Sequence, residues 1–255
     1  MESKSAVAAK FTTLARDWSA REYNNPAAFM ERRAALVQNW GATLSPGDRI
    51  LELGCGDGAL SCFLAGQGFD VTGVDISPGM IDEARRRATA AGVPAKFEVG
   101  DADTLKVTEH YEGIVSFMGA FFTYSQKPGV FLQAAMPFVR KKVILDWNFR
   151  SPGSFIDGAQ VMRAAGLTNI EWRPWFISHQ TTTPSDSGLR SWIEERPNLS
   201  LLLLTLKRWH YTVQLKGEKI DTEDVRNGSD EGWRGNPLPG SFLQRSLMTL
   251  GQLTR

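Results

Sequence analysis

The stretch RILELGCGDGAL, Arg49 to Leu60, decides how the rest of the chain is read. An apolar run carrying one carboxylate, Glu52, stops at glycines 54, 56 and 58. Such a run predicts a buried strand that turns sharply into a helix. Glycine removes the side chain where something must come close to the backbone. Outward from that turn the pattern repeats. Strands are expected at DVTGVDI (70–76), AKFEVG (95–100), YEGIVSFM (111–118), KKVILDW (141–147) and TNIEWRPWFIS (168–178), with WHYTVQLKG (209–217) as an alternating closing strand. Helical spacing falls between them, at ALSCFLAGQG (59–68), SPGMIDEARRRATAAG (77–92), KPGVFLQAAMPFV (127–139, limited by Pro137) and GSFIDGAQVMRAAG (153–166). Ser77 and Pro78 form a helix start, and Asp82/Arg86 and Glu83/Arg87 are spaced to pair four apart. Two helices, in AVAAKFTTLARDWSA (6–20) and AAFMERRAALVQNWGATL (27–44), precede the first strand.

This alternation predicts an α/β fold with a doubly wound, mostly parallel sheet of seven strands, preceded by N-terminal cap helices. The expected organisation is a lid in residues 1–46, a core in 47–217 with a helical insertion near 185–207, and an extension in 218–255. The 255 residues carry a net charge of +1, so the chain as a whole is not built to bind a polyanion. The apolar run Leu199–Leu206 is too short to cross a bilayer, which takes ~20 residues. Cys55 and Cys62 fit neither a zinc pattern nor a disulfide framework, and no His/Cys/Asp/Glu group has metal-ligand spacing. A reducing, cytoplasmic setting is expected.

Parallel sheets bind ligands beyond the carboxyl ends of their strands. The loops after Leu53, Ile76, Val99, Met118 and Trp147 should therefore share one rim. Asp75 ends the second strand, where a carboxylate can accept from two ribose hydroxyls. Asp101-Ala102-Asp103 follows the third strand and reaches the same rim. GCGDG lacks the third glycine of a dinucleotide loop, and no Gly-Lys-Ser/Thr is present for a triphosphate.

The ordered set ILELGCGDGALSCFLAGQGFDVTGVDISPGMIDEARRRA, FEVGDADTL and YEGIVSFMGAFFTY resembles the class I S-adenosylmethionine-dependent methyltransferases of small-molecule type, over about Arg49 to Gly166. The resemblance implies a Rossmann-like sheet and S-adenosylmethionine as cofactor, with S-adenosylhomocysteine as its product. It implies that the loop from Glu52 through Gly54, Cys55 and Gly56 meets the methionine part, the backbone near Gly54 taking its ammonium group. Asp75 would hold the ribose, Ile76 and Met80 would pack on the adenine, and Asp101 and the Ala102 N–H would bond its edge beside Asp103. Phe117 would lie beside methionine and ribose, and Tyr23 would meet the cofactor carboxylate. The loop's acidic residues, Glu52 and Asp57, suit a cofactor that is cationic and has no phosphate.

For the acceptor the sequence says less. Enzymes of this family that methylate planar amide or adenine nitrogens carry Asn or Asp, Pro-Pro and an aromatic after the fourth strand. Here that place reads SFMGAFFTY. Phe121, Phe122 and Tyr124, and then Trp147, Asn148 and Arg150 after the fifth strand, are the expected acceptor wall. His179 is the first candidate for a general base and Tyr124 the second. The expected reaction is methyl transfer to an O, N or C nucleophile of a small organic molecule, with neither nucleic acid nor membrane as partner. An RNA or protein methyltransferase, or a non-catalytic module that binds the cofactor, are the alternatives.

Overall fold

The computed structural model describes residues 2–23, 25–117, 120–148, 152–176 and 211–219. Its centre is a seven-stranded sheet in the order β3-β2-β1-β4-β5-β7-β6. The strands are β1 (Arg49–Leu53), β2 (Asp70–Asp75), β3 (Lys96–Val99), β4 (Tyr111–Ser116), β5 (Val139–Asn148), β6 (Thr168–Phe176) and β7 (Tyr211–Glu218). β1 to β5 run parallel, with Ile50 beside Val71 on one side and Gly113 on the other. β7 runs against both β5 and β6. The strand order reverses beside β1, so β1 and β4 flank the crevice in which such sheets bind ligands.

Four of the five β1 residues are buried, because helices cover both faces of the sheet. The helices are α1 (Lys4–Leu14), α2 (Trp18–Glu22), α3 (Pro26–Asn39), α4 (Ala59–Gly66), α5 (Pro78–Ala91), α6 (Ala120–Tyr124), α7 (Pro128–Ala135) and α8 (Pro152–Ala164). Ser77 caps α5 by accepting from the Met80 N–H, and Gly92 ends it in the left-handed region. Val37, Ile50, Leu64, Val71, Val115 and Ile144 form the centre of the main apolar cluster, between α3, α4 and the sheet.

Below the sheet's rim, two fully buried lysines fasten the end of α3. Lys142 Nζ donates to the carbonyls of Gln38 and Trp40 at 3.3 and 3.0 Å, and Lys216 Nζ to Glu171 and Glu218 at 3.0 and 3.2 Å. Trp40 Nε1 and the Ala42 N–H complete the network on Glu171 and Glu218. Every carbonyl that the helix end exposes to an apolar interior needs such a donor.

Several local expectations are corrected. The segment 6–20 is not one helix: it breaks at 15–17, where Asp17 takes φ 66°, and α2 starts afresh. The GAFFTY stretch contains α6 rather than a loop, and the 127–139 helix gives way to a 3-10 turn at Met136–Phe138. On α5 the charges pair three apart, Asp82 with Arg85 and Glu83 with Arg86. Arg87 turns away from Glu83 to Asp57 of the glycine loop, which is the more deeply buried partner. Among the described residues no helix is long and apolar enough to cross a membrane, and no group of His, Cys, Asp and Glu could hold a metal ion. The expected insertion at 185–207 and the region from 220 onward lie outside the described residues.

Candidate active site

A cleft of ≈ 270 Å³ opens above the carboxyl ends of β1, β2 and β4. Its floor is the glycine loop. The Gly54 N–H bonds the Val74 carbonyl at 2.7 Å and makes the loop turn back over β2. A Cβ on Gly58 would lie 2.7 Å from Ala84 Cβ and 2.9 Å from Phe97 Cζ, so Gly58 permits the loop to pack on α5. A Cβ on Gly56 would meet nothing closer than Trp18, at 3.7 Å. Gly56 therefore keeps open the space above the loop, while Gly58 closes the space below it. Cys55 is buried, its sulfur fitting where Gly73 of β2 has no side chain.

Asp75 stands at the end of β2. Its carboxylate accepts from the Ser77 N–H at 2.8 Å and the Gly56 N–H at 3.0 Å. Burial raises its pKa, and the two N–H donors oppose that shift. The pinned carboxylate retains lone pairs facing the cleft. Ile76 and Met80 line the wall beside it, and Asp101 and Ala102 the wall beyond. Asp101 also accepts from Lys4 Nζ of α1, at 2.9 Å. Asp103 does not line the cleft. Ser125, Gln126 and Lys127 donate to it, so it fastens the loop between α6 and α7. Burial alone would raise this carboxyl, but those bonds and Lys4 hold it down at about 2.

At the other end lie two opposite charges. Glu52, 4 % exposed, accepts from Ser61 Oγ, and burial pushes its carboxyl up to about 7. Arg33, 3 % exposed, reaches the cleft from the buried face of α3. Its guanidinium lies 4.1 Å from the Phe29 ring centre and 4.9 Å from that of Phe117. Nη2 is 3.8 Å from Asp146 Oδ2, beyond hydrogen-bond reach, and neither Nε nor Nη2 has a hydrogen-bond partner among the described residues. A buried guanidinium left this way is costly unless something in the cleft accepts from it. Tyr23 lines the same end, its ring stacked on Phe29 at 4.2 Å. Arg33 escaped the sequence reading, although a signal was there. Met30, Arg33, Ala34 and Val37 share one helical stripe, and a charge within an apolar stripe marks a buried polar task.

Residues 50–141 match the sequence pattern of a methyltransferase domain. That segment is a methyltransferase domain. It is 39% identical over 90 residues to an uncharacterised RNA methyltransferase of Parasynechococcus marenigrum, covering 34% of this chain and 19% of that protein. It is 37% identical over 122 residues to the 2-methyl-6-phytyl-1,4-hydroquinone methyltransferase of Synechocystis, covering 46% of this chain and 37% of that protein. The chain thus spans well under half the length of these two curated relatives. Magnesium protoporphyrin IX methyltransferase from Synechocystis, solved with bound S-adenosylmethionine, superposes with TM-score 0.58 and 16% identity over 86% of this chain and 98% of its own. That likeness concerns the fold.

Of the residues expected to wall an acceptor, Phe121 and Tyr124 line the cleft from α6. Phe121 packs edge-on against Phe131 at 5.3 Å, and Tyr124 against Phe11 of α1 at 5.7 Å. Phe122 lies on α6. Trp147 and Asn148 end β5 opposite Val213 and Thr212 of β7, at the rim. Arg150 and His179 lie outside the described residues.

Proposed function

We propose that this protein transfers a methyl group from S-adenosylmethionine to an O, N or C nucleophile of a small organic molecule. The observation that carries the reading is Arg33, a buried guanidinium two of whose nitrogens have no hydrogen-bond partner among the described residues, in one cleft with the buried Glu52 carboxyl. A cation and an anion placed so, above a glycine loop and beside a rim carboxylate, fit an α-amino acid joined to a nucleoside. Arg33 and Tyr23 would take the carboxylate, and Glu52 and the Gly54 backbone the ammonium group. Asp75 would accept from the ribose hydroxyls, Ile76 and Met80 would sandwich the base, and Asp101 and Ala102 would bond its edge.

When bound, the cofactor supplies a methyl group activated on a sulfonium. The chain's own part is to orient that group and exclude water. α1 and α2 roof the cleft, and Phe117, under Arg33, walls it beside β4. A general base is needed only where the acceptor carries a proton to be removed, and Tyr124 is the described side chain in reach of that role. A small acceptor is supported by the similarity to the hydroquinone methyltransferase and by a net charge of +1, which offers little to a phosphate backbone. The two free cysteines suit a reducing cytoplasm.

The test is transfer of label from methyl-labelled S-adenosylmethionine to pools of phenols, quinols, amines and carboxylic acids, with RNA and protein pools run beside them. Label in a small-molecule pool supports the reading. Label only in RNA or protein moves the acceptor class, and cofactor binding without transfer to any pool makes the chain a binding module.

A further inference from the structure

Asp57, the fourth residue of GCGDG, does something that a glycine-loop residue need not do. It is 2 % exposed, and its carboxylate is spent on protein partners rather than offered to the cleft as a bare charge. Oδ1 accepts from Ser19 Oγ at 2.6 Å, and Oδ2 from the Ser19 N–H at 3.1 Å. Arg87 of α5 donates to Oδ2 at 2.6 Å, and its Nε to the Asp57 carbonyl at 2.9 Å.

Ser19 is the second residue of α2, and α2 has only five. A helix so short does not hold itself together. Its own N-cap, Asp17, sits in the left-handed region and makes no side-chain cap bond. Asp57 makes the bond in its place, from 38 residues away. α2 is therefore folded by the glycine loop. What α2 carries is the roof of the cleft: Trp18 over Gly56, then Glu22, with Tyr23 next in the chain against Phe29 and Arg33. The preceding α1 is tied down over the same rim, by Lys4 on Asp101 and Thr12 on Ser77.

We propose that Asp57 is a positioning residue: through Ser19 it holds α2 over the bound cofactor, and the opening of this contact sets how fast S-adenosylhomocysteine leaves. The inference rests on the cofactor reading above. Arg87 keeps Asp57 aimed, and the hydroxyl and N–H of Ser19 give the contact two bonds to break together. Release of the cofactor product requires the roof to lift, because Trp18 and Tyr23 stand over the loop and the amino-acid end.

The experiment follows dissociation of S-adenosylhomocysteine by stopped-flow, displacing it with excess sinefungin and reading tryptophan fluorescence, in the wild type, Ser19→Ala and Ser19→Thr. Loss of one charge-assisted bond should speed release about tenfold or more in Ser19→Ala. Ser19→Thr, which keeps the hydroxyl, should restore the wild-type rate. The melting temperature of the ligand-free protein should change little, since α2 adds little to the core. Release from Ser19→Ala at the wild-type rate overturns the inference and leaves the cofactor reading standing. So does equally fast release from Ser19→Thr and Ser19→Ala, because the hydroxyl would then be irrelevant. A wild-type protein that takes up no S-adenosylhomocysteine overturns the cofactor reading, and this inference with it.

Discussion

At the scale of single residues, Arg33 and Glu52 give the sharpest expectations. If Arg33 takes a carboxylate, Arg33→Met should weaken S-adenosylhomocysteine by ~10–100-fold, the worth of one charge-assisted contact. The same variant should bind 5′-methylthioadenosine, which lacks the amino-acid end, almost as the wild type does. Calorimetry with both ligands decides it, and equal losses would place Arg33 in the fold rather than in the site. Glu52 titrates at about 7 in the folded protein against an ordinary 4.5. The native state therefore holds more protons than the unfolded chain between those two values, and stability falls as pH rises from 4.5 to 7. Glu52→Gln should remove that slope and stabilise the free protein at pH 8 by on the order of 2–3 kcal/mol, measured by urea unfolding across pH. An ammonium group bound beside Glu52 favours its charged form, so wild-type affinity for S-adenosylhomocysteine should drop below pH ~7 and that of Glu52→Gln should not. The sequence showed Glu52 and Asp75 because they sit beside a glycine turn and at a strand end. It did not show what Asp57 does: its carboxylate looks like a charge meant for a cationic ligand until Ser19 and Arg87 are seen to use it.

At the scale of elements, the strands were legible and the joins between helices were not. A strand covered on both faces reads as a continuous apolar run, so β1 falls on RILEL and β2 within a residue of its expected end. The break between α1 and α2 carries neither glycine nor proline. It comes from contacts that no local pattern encodes, chiefly the hold of the glycine loop on Ser19. The same loop separates two kinds of glycine. Gly58→Ala should push a methyl into Ala84 and Phe97 and cost ~2–4 kcal/mol, seen as an early melt whether or not ligand is present. Gly56→Ala meets no such wall, so it should cost ~1–2 kcal/mol of stability from its positive φ of 55°. Its larger effect should be on ligand affinity. A Gly58→Ala protein as stable as wild type would show that loop and α5 are not packed as described.

At the scale of the whole molecule, the order and sense of the strands set what each edge of the sheet is for. The alternating pattern of residues 209–217 announced a strand, but its direction depends on partners far away in sequence, β5 and β6, and could not be read from it. Residues of the cleft floor and wall were legible because they are spaced along one continuous βαβ run. Residues such as Arg150 and His179 stand apart from that run, and no spacing fixes their distance from it. The reversal of β7 has a further consequence. Phe176, where β6 ends, is the register partner of Tyr211, where β7 begins, so the two strand ends meet at one point on the rim, beside the end of β5. Two antiparallel ends so placed can be joined directly: a two-residue Asn-Gly turn between Phe176 and Tyr211 should leave a β6–β7 hairpin, a cooperative melt and S-adenosylhomocysteine binding, read by calorimetry.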